Sequence, residues 1–168
     1  MRVNTQKMDS RAKIARLITD VDAASPAGFA LGLHIEYTTP RFMFQTYPKK
    51  WLETYSARGL LVHDPVVMWG FENAGTIRWR DLLDDDKRGV MAEARRFGMT
   101  HGVTVAINSG KFRSIGGFAR SDRDYFDVEV DELAGLIGRL HEETATLTKL
   151  SDADVIALKG MSKRLTRT

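Results

Sequence analysis

The segment at residues 46–65, "TYPKKWLETYSARGLLVHDP", carries an aromatic residue at every fourth position: Tyr47, Trp51 and Tyr55. Residues four apart lie on one face of a helix, so the segment predicts a short helix with an aromatic face. Pro48 suits its first position, and Gly59 suits its end. At this stage, two interpretations are open: the rings are a stripe of the core, or they line a site.

Asp64 closes the same segment and lies between the apolar runs "LLVH" and "PVV". It suits the N-cap of a second helix that Pro65 opens. A core without a site would avoid a charge at this position. The segment therefore predicts two consecutive helices, with a carboxylate at their junction that caps the second helix, serves a site, or does both.

The chain has 168 residues, enough for one domain that buries roughly 70% of its unfolded surface and needs no disulfide bonds or bound metals to be stable. It contains no cysteine, which excludes disulfides, thiolate metal sites and cysteine nucleophiles. We find neither a signal peptide nor an apolar run of ~20 residues, so a soluble, cytoplasmic protein with no membrane partner is expected. Net charge is +3, with basic ends that suit either a solvated helix face or nucleic acid.

Outward from this segment, periodicity predicts alternating strand pairs and helices. Leu31, Leu33, Ile35 and Tyr37 are expected on one face of the first strand, which pairs with a strand in "RFMFQTY". A long helix is expected from Ser121, capped with Asp124 and buried through an apolar stripe that begins at Phe126. The predicted elements are helices over 9–22, 48–58, 64–75, 84–98 and roughly 121–148, and strands in 29–38, 41–47, 76–79, 102–108 and 112–119. Hairpin pairs between helices predict an antiparallel or mixed sheet with helices on both faces.

Catalytic and metal-binding patterns do not emerge from the sequence. The four histidines, His34, His63, His101 and His141, show no metal-ligand spacing. The chain also lacks a phosphate-binding loop and a G-x-S-x-G motif. We therefore expect no metal, no cofactor and no enzyme activity.

The polar tips of the aromatic residues indicate what a site here would bind. A Trp N–H donates only, a Tyr hydroxyl can donate, and an ionised Asp accepts only. Trp79 adds another large ring from a nearby segment. Large rings with a few directional polar groups are typical of small-molecule pockets. The matching ligand has a carbonyl, an N–H and an apolar remainder.

These spacings resemble the autoinducer-binding domain of LuxR-type quorum-sensing transcription regulators. Tyr47, Trp51 and Tyr55 stand four apart, Asp64-Pro65 begins nine residues after Tyr55, and Trp79 follows Asp64 by fifteen. The later "ARRFGMTHGVTV" is similar to the family's segment ahead of paired strands. The resemblance covers residues 10–148 and implies an α/β/α sandwich (an α+β fold) around an antiparallel five-stranded sheet.

The resemblance also implies the ligand, an N-acyl-homoserine lactone, and the roles of individual residues. Trp51 would donate to the lactone carbonyl, Asp64 would accept from the amide N–H, and Tyr47 would donate to the acyl carbonyl. The other residues are expected to pack on the head group (Tyr55, Trp79), to open a pocket strand and place a hydroxyl beside it (Gly102, Thr104), and to line the acyl tail (Leu33, Met43, Val66). Where relatives that read a 3-oxo group often carry Ser or Thr, this chain has Gly117 or Phe118, so Phe118 is expected to shape the tail pocket.

The resemblance divides the chain into a domain at residues 1–148 and, at 149–168, a linker with the first helix of an incomplete helix-turn-helix domain. It implies a homodimer, with promoter DNA bound only through the rest of that second domain. Three alternatives stay open: a naturally short receptor that sequesters the signal, one that inhibits a full-length relative by heterodimerisation, or a sensor of a non-lactone ligand.

Overall fold

The computed structural model of the chain describes residues 2–149, with side chains for residues 10–147; the predicted linker and helix beyond residue 149 lie outside the described residues. In chain order the elements are α1 (Arg2–Ala23), β1 (Gly28–Glu36), β2 (Thr39–Gln45), α2 (Lys49–Ala57), a 3₁₀ turn (Leu60–His63), α3 (Pro65–Glu72), β3 (Gly75–Arg78), a 3₁₀ segment (Trp79–Asp85), α4 (Val90–Arg95), β4 (His101–Ser109), β5 (Phe112–Arg120), α5 (Asp127–Ala145) and a 3₁₀ turn (Thr146–Lys149).

The five strands form one antiparallel sheet in the order β2-β1-β5-β4-β3. Helices α1 and α5 pack on each other and on one face of the sheet, and α3 packs on the other face. This confirms the predicted α/β/α sandwich with a five-stranded antiparallel sheet.

Large and small residues alternate along the central strands, and this alternation divides the two layers. Phe29, Leu31 and Leu33 of β1 are fully buried in the core beneath α1 and α5. Each such side chain contributes roughly 1.5–3 kcal/mol of burial free energy. The residues between them, Ala30 and Gly32, face the other layer and occupy little of it.

A bulge in β1 changes which face its residues occupy. The register with β5 shifts between Gly32 and Ile35, and His34 has a φ of +53°. The extra residue places His34 on the α5 side, where its Nε2 donates to the carbonyl of His141 at 2.9 Å, and returns Ile35 to the opposite face. The predicted common face is therefore wrong beyond Leu33, and Tyr37 is 91% exposed in the hairpin turn.

The start of α5 also differs from its prediction. The helix begins at Asp127, because the Glu129 side chain accepts a hydrogen bond from the Phe126 N–H at 2.8 Å. Asp124 instead accepts from the adjacent Tyr125 N–H, and Phe126 is 57% exposed. The rest of the predicted stripe is buried: Val130, Leu133, Ile137, Leu140 and Leu147.

The predicted helix at 84–98 is shorter in the structure. Asp84 and Asp85 end a 3₁₀ segment, and the Asp86 carboxylate accepts from the N–H groups of Met91 and Ala92. Asp86 therefore caps α4, which spans only Val90–Arg95. Within residues 2–149, no helix combines the length and apolar character that crossing a membrane requires.

Candidate functional site

The face of the sheet opposite α1 and α5 is paved with small residues. Ala30 of β1 is paired with Gly117 of β5, and Gly117 with Thr104 of β4. One rung away, Gly28 is paired with Ala119, and Ala119 with Gly102. A sheet face that lacks large side chains cannot fill the space beneath its covering helices, so a cavity forms there.

The cavity has a volume of about 440 Å³ and lies over the β2, β1 and β5 part of the sheet. This size is within the range of roughly 300–1,000 Å³ that small-molecule sites have. Helices α2, α3 and α4 supply its other walls. It opens to solvent at a rim where three of its apolar lining residues are exposed: Met43 (41%), Leu61 (50%) and Phe71 (36%).

The aromatic face of α2 forms one end of the cavity. Trp51 is 4% exposed, and its ring meets Tyr55 edge-on with centroids 5.6 Å apart. Tyr47, just before the helix, donates a 3.0 Å hydrogen bond from its hydroxyl to the Gly117 carbonyl. Burial raises the pKa of both tyrosines, so they stay neutral hydroxyl donors. The rings therefore are part of the buried cluster on this face and line the cavity at the same time.

Asp64 lies at the same end, where α2 and α3 meet. Its Oδ1 accepts from the Val66 N–H at 3.0 Å and caps α3, and its Oδ2 accepts from the Tyr55 hydroxyl at 2.8 Å. Burial raises the pKa of Asp64, and these two hydrogen bonds oppose the rise. The carboxylate therefore caps the helix while it also lines the cavity, and a carboxylate has lone pairs left for a further donor.

Trp79 closes the cavity on the β4 side and is held from behind by two predicted site residues. Its Nε1 donates to Thr104 Oγ1 at 3.0 Å. A Cβ on Gly102 would lie 2.0 Å from the indole, so only glycine lets the ring lie flat on β4. Gly102 and Thr104 thus seat Trp79 and do not line the cavity themselves.

The structure brings most of the other predicted residues together. Cavity walls are formed by Tyr47, Trp51, Tyr55, Asp64, Val66, Trp79 and Met43. Leu33 and Phe118 are fully buried in the core beneath α1 and α5, on the far side of the sheet. Their predicted contact with an acyl tail is corrected, because odd positions of β1 before the bulge and even positions of β5 face that core.

Of the two residues predicted for the last pocket strand, Gly117 lines the cavity and Phe118 does not. Ser114 of the same strand lies fully buried on the α5 side, with its Oγ 2.6 Å from His141 Nδ1.

Sequence reasoning missed the floor of the cavity. Ala30, Gly32 and Gly117 line it, together with Ile35 and Ile115. The signal for the small residues is present in "GFALGL" at 28–33, where small and large residues alternate strictly. Only the pairing of three such strands shows that the small side chains share one face.

The hydrogen-bond donors around the cavity differ in whether they already have an acceptor within the protein. The hydroxyls of Tyr47 and Tyr55 and the Trp79 N–H all donate within the protein. In the described part of the chain, Trp51 Nε1 has no hydrogen-bond partner, although its residue is buried at the cavity wall. The cavity lining therefore includes an indole donor and the acceptor Asp64, both in contact with Tyr55, and the remainder is largely apolar. Residues 2–149 contain no cluster of three or more potential metal ligands.

Comparison with known proteins shows which family this chain matches. Residues 28–143 match the family model described as the autoinducer binding domain. The HTH-type quorum-sensing regulator RhlR of Pseudomonas aeruginosa is 30% identical over 129 residues, which are 74% of this chain and 54% of RhlR. The chain thus spans about half the length of this curated relative.

Solved structures share the fold at low sequence identity. CepR2 of Burkholderia cenocepacia, an N-acylhomoserine lactone dependent LuxR family factor, superposes with a TM-score of 0.59 at 16% identity, over 84% of this chain and 92% of the other. SdiA in complex with octanoyl-rac-glycerol gives 0.54 at 18% identity, over 95% and 83%. Given the family match and the sandwich, the chain belongs to the autoinducer-binding domain family of LuxR-type quorum-sensing regulators.

Proposed function

We propose that the cavity binds an N-acyl-homoserine lactone. The observation that carries this proposal is that Trp51 and Asp64, each in contact with Tyr55, line the same otherwise largely apolar cavity. A lactone carbonyl can accept from Trp51 Nε1, and the amide N–H can donate to Asp64. The acyl chain then lies along the small-residue floor, where its burial supplies about 0.8 kcal/mol for each methylene.

Tyr47 has a conditional role in this arrangement. Its hydroxyl has a single proton, which is donated to the Gly117 carbonyl at 3.0 Å. Donation to the acyl carbonyl would leave the Gly117 carbonyl without that bond. The net gain from Tyr47 is therefore smaller than that from Asp64, which accepts through lone pairs that remain available.

The experiment is thermal melting and native mass spectrometry of the purified chain with a series of N-acyl-homoserine lactones. A ligand that binds only the folded state adds about 4 kcal/mol at a thousandfold excess over its Kd. Octanoyl-glycerol is a useful second probe, because it offers carbonyl and hydroxyl groups but no amide N–H for Asp64. Trp51→Phe is the matched variant, since it retains a ring and removes the donor. An unchanged melting curve with every lactone would reject the proposal.

We further propose that ligand binding stabilises a homodimer and, in a regulator that carries a helix-turn-helix domain, controls DNA binding. Ligand that occupies the cavity ties α2, α3 and the sheet together, so it stabilises the whole domain. Light scattering with and without lactone tests the dimer. A chain that remains monomeric at all concentrations with bound ligand would contradict this part alone. Like its regulator relatives, the chain would act by binding and not by catalysis, and recovery of intact lactone after incubation checks this.

A further inference from the structure

A large side chain of β5 interrupts the small-residue floor. Ile115 of β5 faces the cavity, whereas its cross-strand partners on the same face are Gly32 and Ala106. The next cavity-facing residue along β5 is Gly117. Ile115 therefore rises above its small neighbours on β5, β1 and β4, while Ile35 of β1 is a second large side chain on this floor.

Ile115 also reaches the helix that covers the cavity. A Cβ on Gly70 of α3 would lie 2.5 Å from Ile115 Cγ2 and 3.0 Å from its Cδ1. Only a glycine at position 70 leaves room for this contact between the floor and the roof. The side chain of Arg113, on the same strand as Ile115, donates to the Gly70 carbonyl at 2.8 Å and holds this end of α3 in place.

The position of Ile115 relative to the polar end can be read from the strand. Gly117, whose carbonyl accepts from Tyr47, lies two residues away on β5. Two residues of a strand span roughly 7 Å. A butanoyl chain that starts at the polar end stops short of this distance, and an octanoyl chain extends past it.

The cavity borders β5 but does not extend along the floor to the next strands of the sheet. Its lining includes residues of β2, β1 and β5, whereas within residues 2–149 none from β3 or β4 takes part. Ile115 stands at that boundary. Beyond it, Ile35 and Pro40 pack over Gly32, and the cavity lining continues to the solvent-exposed rim at Met43 and Phe71.

We propose that Ile115, packed against Gly70, is a specificity-determining residue for the acyl tail. It closes the path beneath α3 and turns any tail longer than the distance to Ile115 towards the edge strand β2. This inference rests on the proposed lactone binding, and it names a residue pair that sets which tail lengths the cavity accepts.

The test measures the affinities of butanoyl-, octanoyl- and dodecanoyl-homoserine lactone for the wild type and Ile115→Ala. Butanoyl affinity should change by less than about twofold, because that tail ends before residue 115. Octanoyl and dodecanoyl affinities should rise by roughly fourfold for each methylene that enters the released space. Ile107→Ala is the matched control: it makes the same truncation in the same sheet, but on the face that packs against α5. It should leave the ratios between the three affinities unchanged.

A double-mutant cycle tests the contact independently of any ligand. Gly70→Ala should lower the melting temperature in the wild type and have little effect in the Ile115→Ala background, where the overlapping carbons are gone. Equal effects in both backgrounds would overturn the contact.

The outcomes separate the two proposals. If the wild type binds lactones and Ile115→Ala changes the affinities of all three tails by the same factor, tail selection by Ile115 is wrong and lactone binding stands. If the wild type binds none of the three, the proposed function fails, and tail selection fails with it.

Discussion

The Tyr55 hydroxyl donates a 2.8 Å hydrogen bond to Oδ2 of Asp64, which joins α2 to the first turn of α3. The other carboxylate oxygen of Asp64 accepts from the Val66 N–H. One buried carboxylate thus links the two helices that wall the polar end of the cavity. Its orientation is set by the fold before any ligand binds, which reduces the cost of ordering on binding.

Asp64→Asn should weaken lactone binding more than Tyr47→Phe does. A hydrogen bond to a charged group is worth about 1.5–3 kcal/mol, against about 1 kcal/mol for a neutral one. Tyr47→Phe also releases the Gly117 carbonyl, so part of its effect should appear as lower stability of the free protein. Isothermal titration calorimetry, with melting of the free variants as control, checks the order. Equal losses of affinity would contradict the role of Asp64 as the charged acceptor.

Trp51→Phe should lower lactone affinity by about 1 kcal/mol, the usual contribution of a neutral hydrogen bond, while the fold remains intact. The indole N–H has no partner in the described part of the chain, so its removal leaves no protein acceptor unsatisfied. Trp79→Phe is the comparison, because that indole donates to Thr104 and its loss should also reduce stability. A Trp51→Phe variant with wild-type affinity would assign Trp51 to packing alone.

Gly102→Ala should destabilise the protein by roughly 1–3 kcal/mol, the usual cost of overpacking. The added methyl would overlap the Trp79 indole, which lies flat on β4. Gly135→Ala in α5 is a suitable control, because a Cβ at position 135 would meet no atom closer than 3.8 Å. Urea unfolding of both variants measures the difference. If both variants have the same stability, the packing of Trp79 against residue 102 is not close enough to require glycine there.

Acidification should destabilise the fold through His34 and His141, which stack with ring centroids 4.4 Å apart on the α5 side of the sheet. Burial lowers the pKa of His34 to about 4, helped by the nearby His141 and Arg41, and burial lowers the pKa of His141, opposed by Glu142. Above pH 6.5, the two histidines are mainly neutral in both the folded and the unfolded protein. Below pH 6.5, the histidines of the unfolded chain take up protons that those of the folded chain do not bind. The free energy of unfolding therefore falls until the pH reaches the pKa values of the folded state.

His34 alone should account for a loss of about 2 kcal/mol between pH 7 and pH 5. His34→Asn keeps a residue type that tolerates the positive φ of the bulge and removes the titrating ring. Urea unfolding at the two pH values compares it with the wild type. An equally steep loss of stability in His34→Asn would assign the acid sensitivity to other groups.

Much of the fold was predictable because its signals are local. The aromatic repeat at 47–55 marks α2, and the Asp64-Pro65 pair marks the start of α3, since N-caps and first-turn prolines act within a few residues. The β4–β5 hairpin follows from two apolar runs around "SGK". The same reasoning failed at Ser121 and Asp124, because the Glu129 carboxylate caps the N–H of Phe126, three residues before it, and Phe126 is not a residue type that the cap pattern of the sequence would select.

Contacts between distant parts of the chain could not be predicted in this way. The His34 bulge depends on partners in α5, more than 100 residues away. Without those partners, strict alternation keeps Ile35 with Leu33. With them, Ile35 turns into the cavity and Leu33 remains in the opposite core.

The sequence by itself determined the helices and strands, the aromatic and carboxylate groups of the polar end, and the family to which they belong. The tertiary structure decided which face of each strand borders the cavity, which polar tips are already engaged, and where Ile115 meets Gly70. A strand pattern with a period of two shows that neighbours point in opposite directions, but it does not show which layer each face meets. Only the packing of two helical layers onto one sheet makes that distinction.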